Sequence, residues 1–196
     1  MRLFVAVVPP PDAVGSLDAA VGPVRAGNTA LRWVPPERWH LTLAFLGEVN
    51  DRTAGDAAAR FARAATRHEV LHLSFAGAGR FDGRVLWAGV TGQVDRLRKL
   101  AASVQAGARR AGVAVEERAY RPHLTLARAR SPLDLRPMVA ALSGYSGPAW
   151  SVDELVLMRS VLGPDPRYEV VAAWRLKGTV ASEDEADMPR TFPGAS

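Results

Sequence analysis

The spacing of apolar residues divides the chain into strands and helices along most of its length. Residues 2–8 form a short apolar run that stops at a group of prolines, which is typical of a buried first strand and is too short to cross a membrane. The predicted helices cover residues 10–24, 51–66, 93–111 and 133–142, with Asp51 or Thr53 as the cap of the second. The predicted strands cover residues 2–8, 31–34, 70–76, 85–90, 150–162 and 168–176, in addition to two at a repeated phrase.

Segments rich in glycine and proline separate these elements and indicate the fold class. Turns are predicted at residues 35–38, 77–79 and 163–166. Strands joined by short turns pair antiparallel, so the pattern favours an α+β fold over a parallel doubly wound sheet. Residues 1–178 contain no segment with the composition of a linker, so we expect a single domain with internal duplication. Residues 179–196 are small, acidic and proline-containing, and we expect them to form a disordered tail.

One five-residue phrase, His-Leu-Thr-Leu-Ala, occurs twice, at residues 40–44 and 123–127. Successive side chains of a strand point to opposite faces, so in each copy the histidine and threonine share one face while the leucines are buried on the other. A single histidine on a strand is usually structural, but two copies of the same five residues favour a functional role. If the halves of the chain pack as pseudo-symmetric partners, the two His-Thr pairs face each other across a groove.

Two histidines that face one groove have the chemistry that phosphodiester cleavage requires. Imidazole titrates near pH ~6.5, so one ring can take a proton from water while the other, protonated, gives one to the departing sugar oxygen. His40 and His123 are therefore the candidate catalytic residues. The hydroxyls of Thr42 and Thr125 can donate hydrogen bonds to the phosphate oxygens. A nearby arginine would balance the charge of the transition state, and such a site requires no metal and no cofactor.

Composition limits the setting and the partners of the chain. It contains no cysteine, which excludes disulfides and cysteine metal sites and fits a cytoplasmic protein. The net charge is +5, and because residues 181–196 carry −3 the preceding residues carry +8. A basic body favours a polyanionic partner such as nucleic acid, although an arginine-rich composition gives the same charge without one.

A second motif, His-Glu-Val-Leu-His at residues 68–72, matches the zinc-binding phrase of metalloproteases. That site requires both histidines on one face of a helix, one turn apart, together with a third ligand. Residues 71–76 instead alternate between apolar and polar, as a strand does. We therefore expect no metal site there and two histidines on the surface.

The repeated phrases and their surroundings resemble one known family. Paired His-x-Thr-x phrases are the signature of the two-histidine (2H) phosphoesterases. The flanking residues resemble one branch of them, the RNA 2′,3′-cyclic phosphodiesterases historically called 2′-5′ RNA ligases (LigT-like). The resemblance covers about residues 1–178 and leaves out the tail. The matching segments are residues 2–6, 39–47, 120–128, 155–157 and 168–169.

This resemblance implies a bilobal fold in which two antiparallel sheets flank a central groove, with the helices outside. It also implies hydrolysis of RNA 2′,3′-cyclic phosphate ends to 2′-phosphates without a metal. His40 would protonate the leaving 3′ oxygen and His123 would activate water, although pseudo-symmetry permits the reverse. Arg128 would bind the phosphate, and Phe45, at the equivalent place after the first phrase, would stack on a base or fill the core. Strict alternation puts Arg128 and Phe45 on the wrong face, so each requires a strand end or a bulge.

Two other classes of function stay open on the sequence. One is a related phosphodiesterase, or a reversible ligase, acting on 2′-5′ linkages or on an ADP-ribose cyclic phosphate. The other is a module that binds RNA ends without turnover, which does not require two titratable groups. The absence of a phosphate-binding loop and of an adenylation lysine argues against an ATP-driven ligase. We expect a monomer whose partner is an RNA or nucleotide with a cyclic phosphate end, and no membrane contact.

Overall fold

The computed structural model describes residues 1–116, 118–162 and 167–178, which form two β-sheets with helices packed against them. The strands are β1 (Arg2–Val7), β2 (Leu31–Trp33), β3 (Leu41–Glu48), β4 (Leu71–Phe81), β5 (Val85–Gly92), β6 (Leu124–Ala129), β7 (Trp150–Val152), β8 (Glu154–Val161) and β9 (Arg167–Arg175). The helices are α1 (Pro11–Ala26), α2 (Asp51–Ala65), α3 (Val94–Arg110) and α4 (Arg136–Leu142), with a 3₁₀ turn over Pro36–Arg38.

The two sheets are related as pseudo-symmetric halves. The first has the strand order β3-β1-β8-β9 and the second has β2-β6-β5-β4-β7. Every neighbouring pair of these strands is antiparallel. The strands that follow the two repeated phrases are β3 and β6, and they pair with β1 and β5. The series β3-β1-β8 of the first sheet therefore corresponds to β6-β5-β4 of the second. The predicted α+β fold with two antiparallel sheets is confirmed, and the two repeated phrases lead into β3 and β6, one in each sheet.

A continuous apolar core joins both sheets to the helices. Helix α3 contacts α2 as well as β3 and β4, so it bridges the two halves. Its buried residues Leu97, Leu100, Ala101 and Val104 recur at helical spacing. Helices α1 and α4 contact each other and β4 of the second sheet.

The first sheet also has a smaller apolar cluster on its other face. Alternate residues of β1 point to opposite sides, so Leu3 and Val5 belong to the main core while Phe4 turns away from it. This second face forms one wall of the cleft described below. The cluster consists of Phe4, Ala6, Val156 and Met158, against which Val8 and Tyr168 pack.

The predicted turn at residues 77–79 is wrong, because this segment lies inside β4. The chain instead reverses at Asp82 and Gly83, whose φ angles are 48° and 62°. Two adjacent residues with positive φ form the tight hairpin turn that Asp-Gly favours. Gly79 is a strand residue over which the Trp87 ring packs, and a Cβ at this position would lie 2.1 Å from that ring, so the contact requires glycine.

Two further predictions about elements are wrong. The strand predicted over residues 150–162 is two strands in different sheets, since β7 pairs with β4 while β8 pairs with β1. The cap of α2 is neither Asp51 nor Thr53 but Asn50, whose side-chain oxygen accepts a hydrogen bond from the Thr53 backbone N–H at 2.8 Å.

Two predicted segments lie outside the described residues, the turn at 163–166 and the tail over 179–196. Within the ranges that the structure describes, no helix is both long enough and apolar enough to span a membrane.

Candidate active site

The two repeated phrases line one cleft between the sheets. His40 immediately precedes β3 and His123 immediately precedes β6, and these two strands contact each other. The cleft has a volume of about 510 Å³. Its walls bring together all the side chains that the sequence singled out, namely His40, Thr42, Phe45, His123, Thr125 and Arg128.

A β-bulge in each strand determines which side chains reach the cleft. Two residues of β3, Leu43 and Leu46, have no partner on β1, and Leu43 is the one that lies between Thr42 and Phe45. In β6 the corresponding residue is Leu126, at the same place in the phrase, which has no partner on β5. One inserted residue reverses the alternation, so Phe45 and Arg128 lie on the same face as the threonines of their phrases. The expectation that these two side chains require a bulge is therefore confirmed.

The backbone carbonyl of each bulged residue accepts a hydrogen bond from a group outside the strand pairs β1–β3 and β5–β6. The Leu43 carbonyl accepts from Nε2 of Gln105 in α3 at 3.0 Å. The Leu126 carbonyl accepts from the backbone N–H of Val34 at 2.8 Å. Leaving a buried carbonyl unbonded costs about 1–3 kcal/mol, so both contacts stabilise the bulges.

Each imidazole is oriented by the backbone two residues before it. Nδ1 of His40 lies 2.8 Å from the carbonyl oxygen of Arg38, and Nδ1 of His123 lies 2.7 Å from that of Arg121. A carbonyl oxygen can only accept, so Nδ1 donates and Nε2 carries the lone pair of the neutral ring. Nε2 is therefore the ring nitrogen of each histidine that can accept or donate a proton.

Aromatic rings pack against both imidazoles. The His40 ring lies 4.9 Å from the Phe4 ring and meets the Tyr168 ring edge-on at 5.2 Å, measured between centroids. The His123 ring is perpendicular to the Phe81 ring at 5.0 Å. These contacts limit the rotation of both imidazoles and shield them from water.

Burial lowers the pKa of both histidines. Desolvation, together with the charges of Arg38 and Arg128, lowers the pKa of His40 to about 4. Desolvation, together with Arg128 and Arg121, lowers the pKa of His123 from its ordinary value. Without a bound anion both rings are therefore neutral near pH 7, and an anion in the cleft would favour their protonation.

The cleft is lined by positive charge. Arg2, Arg38 and Arg128 contribute to its walls, and no carboxylate does. Within the part of the chain that the structure describes, none of these three arginines forms an ion pair. Such a surface suits a ligand with more than one negative charge.

Sequence reasoning missed Arg38, although the repeat contains a signal for it. Arg38 and Arg121 each stand two residues before a repeated histidine, so the shared phrase extends to Arg-x-His-Leu-Thr-Leu-Ala. In the structure the two side chains differ, because Arg38 lies over Tyr168 at the cleft while Arg121 lies over Phe81 and is not part of the lining. Tyr168 comes from β9, and nothing in its local sequence indicates a place beside His40.

The phrase at residues 68–72 lies elsewhere and is not helical, as expected. The chain bends at His68 and enters β4 at Leu71. Nε2 of His68 lies 2.8 Å from the hydroxyl of Ser103, and Nδ1 of His72 lies 3.1 Å from that of Ser151. His72 is exposed, as predicted for a surface residue, whereas His68 is half-buried.

The sequence model of the 2′-5′ RNA ligase superfamily matches residues 9–164. The chain belongs to this superfamily.

Three relatives bear the name RNA 2′,3′-cyclic phosphodiesterase. The protein of Thermus thermophilus is 31% identical over 189 residues, which is 91% of either chain. That of Archaeoglobus fulgidus is 31% identical over 172 residues, 84% of this chain and 93% of the relative. That of Geobacillus stearothermophilus is 28% identical over 180 residues, 89% of this chain but 57% of the relative.

Solved structures of similar proteins agree with this membership. A crystal structure from Thermus thermophilus has a TM-score of 0.74 and 30% identity, covering 91% of this chain and 99% of the other. Escherichia coli LigT, crystallised with 3′-AMP, has a TM-score of 0.72 and 27% identity, covering 89% and 97%. The resemblance to the LigT-like 2H phosphoesterases is confirmed.

Proposed function

We propose that this superfamily member hydrolyses 2′,3′-cyclic phosphates at RNA ends to 2′-phosphates, using His40 and His123 and no metal ion. The observation that carries the proposal is that both imidazoles have only Nε2 free and line one cleft with two threonines and an arginine. The names of the relatives from Thermus thermophilus and Archaeoglobus fulgidus support it, as does the binding of 3′-AMP by LigT.

The reaction requires one proton acceptor and one proton donor on opposite sides of phosphorus. Nε2 of His123 takes a proton from water, and the water oxygen bonds to phosphorus. The bond between phosphorus and the 3′ oxygen breaks, and protonated His40 gives its Nε2 proton to that oxygen. The products are a 2′-phosphate and a 3′ hydroxyl. His123 is then protonated and His40 neutral, and proton exchange with solvent restores the starting state.

The difference between the two phrases supports this direction. The nucleoside carries the leaving 3′ oxygen, so the acid must lie on the side of the cleft where the nucleoside binds. Phe45 directly follows the phrase of His40, lines the cleft and is 61% exposed, which suits stacking on a base. Arg128 occupies the equivalent position after the phrase of His123, where a guanidinium can bind the phosphate oxygens.

The same charges explain how His40 acquires its proton. Thr42, Thr125 and Arg128 would hold the non-bridging oxygens, which places the negative phosphate beside both Nε2 atoms. That charge raises the pKa of a neighbouring imidazole and opposes the burial that lowers the pKa of His40 to about 4. His40 would therefore become protonated when substrate is present.

The donor set of the cleft does not suit a divalent metal. Zinc sites use three or four nitrogen, sulfur or carboxylate ligands, and magnesium sites use carboxylates. The lining offers two imidazoles and no carboxylate. No cluster of three or more histidine, aspartate or glutamate side chains with the arrangement of a metal site occurs among the described residues.

The test is to incubate the protein with a nucleoside 2′,3′-cyclic phosphate in excess chelator and to separate the product isomers. We expect the 2′-phosphate alone, at a rate that the chelator does not change. A double variant, His40→Ala with His123→Ala, provides the background. Formation of the 3′-phosphate would show that the 2′ oxygen is the leaving group, contrary to the proposal. Turnover no higher than this background would also contradict the proposal.

A further inference from the structure

The cleft carries more positive charge than a terminal cyclic phosphate requires. A cyclic phosphate is a monoanion, and Arg128 already places a guanidinium close enough to act on the pKa of both histidines. Arg2 and Arg38 line the same cleft, whose lining has no carboxylate, and Glu48, which lies opposite Arg2 on β3, pairs with the Met1 amino group instead. Two unbalanced guanidinium groups in one groove point to a second anionic group on the ligand.

Both additional arginines lie on the His40 side of the cleft. The carbonyl of Arg38 accepts the Nδ1–H of His40, and its guanidinium lies 5.1 Å from the centre of the Tyr168 ring, which in turn contacts His40. Arg2 is two residues before Phe4 on β1 and on the same face, which places it about 7 Å further along the sheet. Phe4 is the ring that stacks on His40.

The Arg38 side chain is oriented but incompletely bonded. Its Nε–H is buried and has no hydrogen-bond partner among the described residues. Leaving such a donor unpaired is costly, whereas the contact with Tyr168 holds the guanidinium in one place. The guanidinium lines the cleft in this fixed position, so its terminal nitrogens are the donors that an anionic ligand can reach.

We infer that Arg38 and Arg2 bind a second phosphate, the one attached to the 5′ oxygen of the ribose that carries the cyclic phosphate. This inference rests on the proposed function, which places the nucleoside on the His40 side. The 5′ oxygen belongs to the same ribose as the leaving 3′ oxygen, and these arginines lie on the wall on that side of the cleft.

Two kinds of molecule share this chemistry. In an RNA end the 5′ phosphate is the phosphodiester to the preceding nucleotide. In a dinucleotide of the ADP-ribose type it is one half of a pyrophosphate. Either source makes the 5′ phosphate a determinant of specificity, and a nucleoside 2′,3′-cyclic phosphate without it is a minimal substrate.

The first experiment compares uridine 2′,3′-cyclic phosphate with the same molecule phosphorylated at its 5′ oxygen. We expect kcat/KM to be about tenfold higher for the phosphorylated substrate, mainly through a lower KM. Arg38→Gln and Arg2→Gln should each bring this ratio towards one. Arg121→Gln is the matched control, because this arginine is the pseudo-symmetric counterpart of Arg38 outside the cleft, and it should keep the wild-type ratio.

A binding experiment separates this inference from the proposed function. Calorimetry with uridine 2′-monophosphate and uridine 2′,5′-bisphosphate requires no turnover. The bisphosphate should bind about tenfold more tightly to the wild type, and the preference should be lost in Arg38→Gln. Equal affinity of the two nucleotides, or an unchanged preference in both Arg38→Gln and Arg2→Gln, would overturn the inference whether or not the protein hydrolyses cyclic phosphates.

The source of the phosphate is then decided by two larger substrates. One is a dinucleotide with a terminal cyclic phosphate, and the other is an ADP-ribose cyclic phosphate. A higher kcat/KM for the first would assign RNA, and a higher value for the second would assign the pyrophosphate. If neither exceeds uridine 2′,3′-cyclic phosphate, no 5′ phosphate is recognised and the inference is wrong.

Discussion

The two halves of the cleft share one backbone and differ in the side chains that it carries. In each half a backbone carbonyl two residues before the histidine holds Nδ1, an aromatic ring packs on the imidazole, and a bulge follows three residues later. The same construction therefore presents two imidazoles with Nε2 free. Proton transfer requires a donor and an acceptor of similar geometry, which a duplicated scaffold supplies.

The two halves differ in a few of the side chains that line the cleft. The residue that the bulge turns into the cleft is Phe45 in one half and Arg128 in the other. Arg38 lines the cleft while its counterpart Arg121 does not. In the proposed reaction the nucleoside lies on one side of the phosphate and the attacking water on the other. On the proposed function, differences at a few positions would adapt a symmetric frame to an asymmetric substrate.

Removing either of the two histidines, which both halves share, should have the largest effect. His40→Ala and His123→Ala should each lower kcat by roughly 10²–10⁴-fold, the usual contribution of a general acid or base. Steady-state assay with a nucleoside 2′,3′-cyclic phosphate measures this loss. His72→Ala alters an exposed histidine outside the cleft and should retain wild-type rates. Near-normal turnover in either cleft variant would contradict a shared acid–base pair.

Substituting Phe45 and Arg128, the side chains that differ between the two halves, should separate binding of the base from binding of the phosphate. Arg128→Ala should lower kcat/KM by about 10²-fold, because its charge is needed most in the transition state. Phe45→Ala should instead raise KM by about tenfold with little change in kcat, as expected when base stacking is lost. Both residues are exposed, so neither change should move the melting temperature. Equal effects of the two variants on kcat would contradict the assigned roles.

The pH dependence should reveal the charge that both halves share. Burial and Arg128 lower the pKa of both histidines, so the singly protonated free enzyme becomes scarcer as pH rises above 6.5. We expect kcat/KM to fall about tenfold per pH unit above pH 7. The value of kcat should hold to higher pH, because bound phosphate raises the pKa of an adjacent imidazole.

Arg128→Ala removes a charge that lowers both pKa values, so it should move the falling limb of kcat/KM to higher pH. Profiles of kcat/KM against pH, measured for the wild type and this variant in the same buffers, test the direction of this shift. A limb that moves to lower pH, or a wild-type kcat/KM that stays constant up to pH 8, would be inconsistent with these electrostatics.

The smallest effect concerns the support of the bulges, which also differs between the halves. Gln105 holds the Leu43 carbonyl with a side chain, whereas Val34 holds the Leu126 carbonyl with its backbone. Gln105→Met should cost about 1–3 kcal/mol of unfolding free energy and raise KM slightly, since the bulge that directs Phe45 is loosened. Calorimetric melting measures it, and Arg98→Met on the exposed face of α3 should be neutral. A wild-type melting temperature for Gln105→Met would show that this bond does not support the bulge.

The sequence predicted which side chains share the cleft better than it predicted the strands that carry them. Alternation within each phrase is local, so it identified the faces of His40 and His123, and the consecutive apolar pair Leu43-Ala44 already breaks the alternation as a bulge does. The place of Tyr168 depends on the pairing of β9 with β8, which no local pattern encodes. The run Gly-Ala-Gly at residues 77–79 predicts a turn, but Gly79 lies in a strand under the Trp87 ring, and that contact exists only in the folded sheet.

The central claim is that the two halves have opposite roles, with His40 as the acid and His123 as the base. The most direct test uses a cyclic substrate in which sulfur replaces the leaving 3′ oxygen. A thiol has a pKa of about 8.5, so a thiolate leaves without protonation and no longer needs an acid. We predict that this substrate restores most of the activity of His40→Ala and none of that of His123→Ala. Restoration of His123→Ala instead, or of both variants equally, would contradict the assignment.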